Sequence, residues 1–349
     1  MSLSNSSQLL IRNIDNLSAS RPLFVNPPAD CFFDDYCRIF PNASPSSVHF
    51  FYDDYLTLSA QYGDRLNSHF TEHYQAIQLH DLAIIYFPKT KAELAYTLAM
   101  IANSLADNAR IIFVGDNKCG IKSVDKLASN YVEHITKIDN ARHCLLYSGQ
   151  HNNEVNTFNI DEWYTHYTVE INAVSLTIAA LPGVFSHNRL DAGTALLLST
   201  LPTQLSGKIL DFGCGAGVIG AFIAKRYPDT QLSLLDVNSL AIASAQKTLA
   251  SNQLTGSVIP SNGLQQVTEK YNHIISNPPF HQGLKTNYHT TETFIGNVSN
   301  YLKSGGSLLI VANSFLHYSP LLSRYIGKVQ PLKVQNGFTV YCSQQHNTR

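Results

Sequence analysis

The 349-residue chain holds six cysteines, and no two of them form a CxxC pair. Cys31 and Cys37, in CFFDDYC, have neither a matching second pair nor a histidine cluster; Cys119, Cys144, Cys214 and Cys342 are scattered. A long chain without a secretory leader keeps such cysteines as free thiols. The 14 histidines are equally dispersed, so no metal site is expected. No window approaches 18 consecutive apolar residues, which argues against a membrane span. The amino terminus, MSLSNSSQLLIRNIDN, lacks the basic-then-apolar order of a signal peptide. A cytoplasmic protein with no membrane partner is the expectation.

An excess of charge of one sign is missing as well: the net is −1, with 14% charged and 44% apolar residues. That composition describes a soluble globular chain and not a disordered one. The length favours two domains. Behind the neutral total lies an asymmetry. Residues 1–165 carry 12 Lys and Arg against 18 Asp and Glu, a net of −6, whereas residues 166–349 carry 12 against 7, a net of +5. A polyanion would be drawn to the second half, although a solvated surface with a chance imbalance would give the same count.

What is present in that second half is an alternation of strands and helices of the kind that builds a parallel sheet. GKILDFG (207–213), QLSLLDVN (231–238), GSVIPSNG (256–263), YNHIISN (271–277) and SLLIVANS (307–314) read as strands. VIGAFIAKRYP (218–228), SLAIASAQKTLASNQL (239–254) with Ser239 as N-cap, and the stretch around 290–306 read as helices. VSLTIAALPGVFS (174–186) is an extended lead-in, LDAGTALLLSTL (190–201) a helix, and LKVQNGFTVYCSQ (332–344) a hairpin turning at Asn336-Gly337. The first half is a worn copy. HDLAIIYFPKTKAEL (80–94) parallels YNHIISNPPFHQG (271–283), TLAMIANSLADNARIIFVGDN (97–117) parallels TFIGNVSNYLKSGGSLLIVANS (293–314), and ARHCLLYSG (141–149) parallels GFTVYCSQ (337–344). The polar joint at 150–168 marks the boundary, giving domains 1–165 and 166–349.

Two segments carry chemistry. In DFGCGAGVIG (211–220), Gly215-x-Gly217-x-x-Gly220 satisfies the dinucleotide fingerprint, while Asp211-x-Gly213-x-Gly215-x-Gly217 satisfies the loop that binds S-adenosylmethionine. Charge favours the second reading. Asp211 would repel a pyrophosphate but would attract the ammonium and sulfonium of the methyl donor. Asp236, at the next strand exit, suits the ribose of either ligand, and Asn262 stands where an adenine edge could be read. A structural turn without ligand is the third option, since Gly serves wherever φ must be positive.

The other segment is Asn277-Pro278-Pro279-Phe280, at the end of the fourth strand. In an open parallel sheet the ligand crevice lies beyond the carboxyl ends of the strands, so both segments open onto it. An exocyclic amine is a poor nucleophile because its lone pair is delocalised. Two acceptors aimed at its N–H groups, the Asn277 side-chain carbonyl and the rigidly held Pro278 backbone carbonyl, would localise that pair. Phe280 offers a face on which a planar base can stack, worth ~1–3 kcal/mol. VNPPAD (25–30) repeats Asn-Pro-Pro, but Ala29 replaces the aromatic and no glycine loop precedes it. Phe87-Pro88-Lys89 occupies the aligned position of the copy, so the first domain is expected to be catalytically inert.

With these stretches, and with LPGVFSHNRLDAGTALLLSTL, LLIVANSFLHY, IIYFPKTKAEL, FVGDNKCGIKS and KIDNARHCLLYSG, the chain resembles over essentially its whole length the bacterial 16S ribosomal RNA guanine-N2 methyltransferases of the RsmC type, and less specifically their 23S relatives. The resemblance implies an α/β fold of two tandem Rossmann-like class I methyltransferase domains. The N-terminal one would be degenerate and serve substrate recruitment or stability. It implies S-adenosylmethionine as cofactor and ribosomal RNA, within the small subunit, as partner of a monomer. Carried over, the donor would be held by Asp211, Gly213, Cys214, Gly215 and Gly217, by Asp236 with Val237, and by Asn262 with Gly263. Phe185 and Ser186 would line its methionine end, and Asn277, Pro278, Pro279 and Phe280 would meet the target base. Thr339 stands where that family tends to have Lys. A protein-glutamine methyltransferase, whose motif usually carries Tyr where Phe280 stands, and a non-catalytic RNA-binding assembly factor remain the alternatives.

Overall fold

A computed structural model describes residues 2–153, 157–278, 285–316 and 318–345. The chain divides into two compact units, residues 1–163 and 164–349. Among the described residues no helix is long and apolar enough to cross a membrane.

The first unit is built on a seven-stranded sheet: β1 (Pro22–Val25), β2 (Ser46–His49), β3 (Asn67–Phe70), β4 (His80–Tyr86), β5 (Leu105–Asp116), β6 (Val132–Ala141) and β7 (Cys144–His151). Their spatial order is β3-β2-β1-β4-β5-β7-β6. All pairings through β5 are parallel, and β7 runs antiparallel to both β5 and β6. Residues of β1 and β4 are buried almost throughout, as expected for strands covered on both faces. One cluster of the core gathers Phe24, Phe32, Phe33, Tyr36 and Tyr62 in edge-to-face and stacked contacts.

The second unit opens on an antiparallel hairpin, β8 (Thr165–Ile171) and β9 (Val174–Ala180). The first of these begins in the segment read as a polar joint, and the second opens the extended lead-in. A second seven-stranded sheet follows: β10 (Gly207–Phe212), β11 (Thr230–Asp236), β12 (Ser257–Pro260), β13 (Tyr271–Ser276), β14 (Leu302–Asn313), β15 (Gly327–Gln335) and β16 (Phe338–Gln345). Its order, β12-β11-β10-β13-β14-β16-β15, repeats that of the first sheet strand for strand. All three segment pairs matched in the sequence fall on equivalent strands: β4 with β13, β5 with β14, β7 with β16. The turn between β15 and β16 has Asn336 and Gly337 at φ 52° and 79°, the backbone that an Asn-Gly hairpin supplies.

Two local expectations are corrected. The helix at Ser239–Ser251 is capped by Asn238, whose Oδ1 accepts from the N–H groups of Leu240 (2.8 Å) and Ala241 (3.3 Å); Ser239 is already the first helical residue. The helix expected around 290–306 is Lys285–Val298, and Leu302 onward belongs to β14. Gly305, at φ 72°, and Gly306 already lie within that strand.

The helix Ser239–Ser251 anchors the hairpin. Ser244, Thr248 and Asn252 lie four residues apart and so face one side. Ser244 Oγ accepts from Leu181 N–H (3.0 Å), Thr248 Oγ1 from Ala179 N–H (3.0 Å), and Asn252 Oδ1 from Thr177 N–H (2.9 Å). This edge would otherwise leave backbone donors unpaired beside a helix.

Candidate active site

Because β10 to β13 are parallel and in register, the residues that follow each of them share one edge of the sheet. Asp211 is the penultimate residue of β10 and Gly213 to Gly217 follow that strand; Asp236 ends β11 and Val237 follows it; Asn262 and Gly263 come after β12, and Asn277 with Pro278 after β13. Pro279 and Phe280 lie outside the described residues.

The loop after β10 owes its path to glycine. Gly213, Gly215 and Gly217 have φ of 71°, 52° and 77°, in the region that side chains resist. A Cβ on Gly217 would lie 2.9 Å from Ala245 Cα, and one on Gly220 would lie 2.4 Å from Leu234 Cδ2; these two glycines let the helix Val218–Arg226 approach its neighbours. Gly213 and Gly215 are different. Among the described residues, a Cβ at Gly213 would meet nothing within 4 Å, and one at Gly215 only the Phe185 carbonyl oxygen, at 3.9 Å. Their missing side chains leave open space for a ligand. Phe185, 47% exposed, is thereby set beside the loop. Ser186 takes φ 58°, and its carbonyl accepts from Tyr167 Oη at 2.7 Å.

Asp211 is fully buried. Its Oδ2 accepts from the Gly220 N–H at 2.8 Å. Among the described residues its Oδ1 is buried with no hydrogen-bond partner. Burial, opposed by that one hydrogen bond and reinforced by the charge of Asp236, pushes its carboxyl up to about 7. Asp236 is half-buried; its Oδ2 accepts from Gly215 N–H (2.9 Å) and its Oδ1 from Asn238 N–H (3.0 Å). Its carboxyl is also shifted up by burial, against those backbone bonds. Cys214 is buried, and desolvation with the two aspartates raises its thiol well above the ordinary range, so it forms wall and not nucleophile. At the third loop, Gln266 Oε1 accepts from Asn262 N–H at 2.8 Å and from Ser261 Oγ at 3.1 Å, with Gly263 at φ 58°. Gln266 carried no signal in the sequence.

Asn277 Nδ2 donates to Asp191 Oδ2 at 2.9 Å and to Thr194 Oγ1 at 2.8 Å. Asp191 also accepts from Thr194 N–H at 2.9 Å, capping the helix Ala192–Ser199. Neither residue was marked by the sequence, since they lie 86 and 83 positions from Asn277. Thr339 is buried and bonded to Ser314 Oγ at 2.9 Å, a setting that would not admit a lysine without cost.

The equivalent edge of the first unit is closed. Asn26 directly follows β1 as Gly213 follows β10; it too has positive φ (51°), and its N–H reaches Val48 O (2.8 Å) as that of Gly213 reaches Leu235 O (2.9 Å). Asn26-Pro27-Pro28-Ala29 thus occupies the slot of Gly213-Cys214-Gly215-Ala216. Ala29, in the slot of Ala216, donates its N–H to Asp54 Oδ1 at 2.8 Å. Pro27 and Pro28 have no N–H to offer a ligand, and Asn26 Oδ1 is engaged by Phe50 N–H at 2.7 Å. Phe87, at the position of Asn277, is packed into the core.

A sheet in this order, with a glycine loop after its first strand and an acid after its second, defines a class I S-adenosylmethionine-dependent methyltransferase. Family models agree: Methyltransferase small domain matches residues 175–342, and Methyltransferase small domain N-terminal matches 7–167. The chain belongs to the ribosomal RNA small subunit methyltransferase C family. It is 46% identical to the member from Colwellia psychrerythraea, covering 99% of this chain and 98% of that one. The member from Psychromonas ingrahamii is 43% identical, covering 97% and 96%. Among solved structures, the T. thermophilus 16S rRNA N2 methyltransferase in complex with AdoMet and guanosine shares the fold, with a TM-score of 0.85 at 22% identity over 98% of this chain and 92% of that one.

Proposed function

We propose that the chain methylates the exocyclic 2-amino group of a guanine in 16S ribosomal RNA, presented within the small ribosomal subunit, and that residues 164–349 carry the reaction. The observation that carries this reading is the placement, on one edge of one sheet, of a buried carboxylate seeking a cation and an Asn-Pro acceptor pair. The names of the relatives and the guanosine held by the T. thermophilus protein support the choice of base.

The donor fits the residues present. Asp211 Oδ1, lacking a partner among the described residues, lies under the glycine loop that holds open space at Gly213 and Gly215. Asp236 would take the ribose, and Asn262 the adenine edge. When bound, S-adenosylmethionine supplies an electrophilic methyl on a sulfonium. Asn277 Oδ1 and the Pro278 carbonyl accept the two N–H bonds of the guanine amine and turn its lone pair out of conjugation. Transfer of the methyl from sulfur to the amine would place positive charge on that nitrogen. Both hydrogen bonds then strengthen, which is selective stabilisation of the transition state. The proton leaves to solvent afterwards, so no strong base is needed. Phe280 would stack on the base.

The test is methyl transfer from labelled donor to small subunits of a strain lacking the activity, followed by nucleoside digestion. Label in N2-methylguanosine from 16S RNA is the expected product; label in 23S RNA or in glutamine would overturn the assignment. Titration of the full chain should give one donor per chain, because Pro27 and Pro28 have replaced the loop amides in the first unit. A stoichiometry near two would show that this unit still binds.

A further inference from the structure

An asparagine amide is nearly symmetric in shape, so its oxygen and nitrogen exchange places at little steric cost, and its partners decide which atom faces where. Only the oxygen can accept from a guanine amine. With the nitrogen turned toward the amine, two donors would face each other. The orientation of Asn277 is therefore a catalytic variable, and the structure shows what sets it.

An ionised carboxylate accepts and cannot donate. Asp191 Oδ2, 2.9 Å from Asn277, therefore demands the nitrogen, and Thr194 Oγ1, at 2.8 Å, takes its second hydrogen. With both amide hydrogens committed, Oδ1 is the one polar atom of the side chain that, among the described residues, is left to meet substrate. The carboxylate is itself held in place, because Oδ2 also receives the Thr194 N–H. It has room because residue 193 is glycine: a Cβ there would sit 3.0 Å from Asp191 Oδ2 and 3.2 Å from the Phe338 ring. Thr194 is 6% exposed, so water does not easily replace its hydroxyl.

We infer that Asp191 and Thr194 are positioning residues for methyl transfer, locking the Asn277 amide with Oδ1 toward the target amine. This rests on the acceptor role proposed for Asn277. It makes the cap of the helix Ala192–Ser199 a part of the site as well as of the fold.

Two variants separate these roles. Asp191→Ser keeps a good helix cap but is too short to reach Asn277; Thr194→Val keeps shape and the backbone N–H while removing the acceptor. In single-turnover methylation of small subunits each should slow the rate by ~10-fold or more, by analogy with the loss of one oriented polar contact. Donor affinity should stay within about twofold and the melting temperature within a few degrees, as expected for a retained cap. The distinguishing result lies in the Asn277→Ala background, where adding Asp191→Ser or Thr194→Val should change nothing further, because residues acting through one group are non-additive. Wild-type rates in both single variants, or equal losses with and without Asn277, would overturn the inference. Should Asp191→Ser fail to fold, Thr194→Val alone carries the test. Full activity in Asn277→Ala would instead remove the acceptor role itself, a different failure.

Discussion

Asn277→Ala is expected to slow methyl transfer ~100-fold or more while leaving donor affinity nearly unchanged, by analogy with the removal of one oxyanion-hole donor. Asn277 follows β13, whereas the donor loops follow β10, β11 and β12, so its loss removes no proposed donor contact. The ground-state hydrogen bond to a neutral amine is an ordinary one; its partner in the transition state is becoming a cation, where hydrogen bonds are roughly twice as strong. The loss should therefore appear in kcat and not in KM for the subunit. Rapid-quench measurement with saturating donor checks this, and an unchanged rate would refute the mechanism.

The second large effect is a pH dependence of donor binding. With the Asp211 carboxyl pushed up to about 7 by burial, the free protein holds a proton on it below that pH. A cationic donor favours the ionised form, so binding expels the proton. The sign follows: the dissociation constant should rise as pH falls below about 7, approaching ~10-fold per pH unit, and level off above it. Calorimetry in two buffers of different protonation enthalpy at pH 6 should register close to one proton released per site. Asp211→Asn should bind weakly and without this slope. A flat wild-type profile would show that Asp211 is ionised before the donor arrives.

Much of the catalytic unit was legible because strands such as β10 and β13, of six residues each, have an apolar centre bounded by glycine and polar residues, as in GKILDFG and YNHIISN. The first unit was legible only from β4 onward. Its β1, β2 and β3 have four residues each, too short for periodicity to register. For that reason VNPPAD could be recognised as lacking an aromatic, but not as standing in the glycine-loop slot; that follows from the pairing of Val25 with Val48. The expected cap at Ser239 failed by one residue because Asn238 and Ser239 are both good caps, and only the backbone decides between them. Asp191, Thr194 and Gln266 were invisible for a different reason. Their roles are hydrogen bonds to single atoms of distant loops, and no spacing rule encodes those.

The helix Ser239–Ser251 serves several masters. Asn238 ties its start to Asp236, Ala245 abuts Gly217, and Ser244, Thr248 and Asn252 hold the chain that leads to Phe185. Parts of the proposed donor cradle distant in the chain are thus fastened to a single rod, and freeing one strains the attachments of the rest. Opening of this region should be collective, with the amides of β9 and of the loop after β10 exchanging with deuterium at one common rate. Added donor should slow both by the same factor, so that the hairpin reports occupancy of the site.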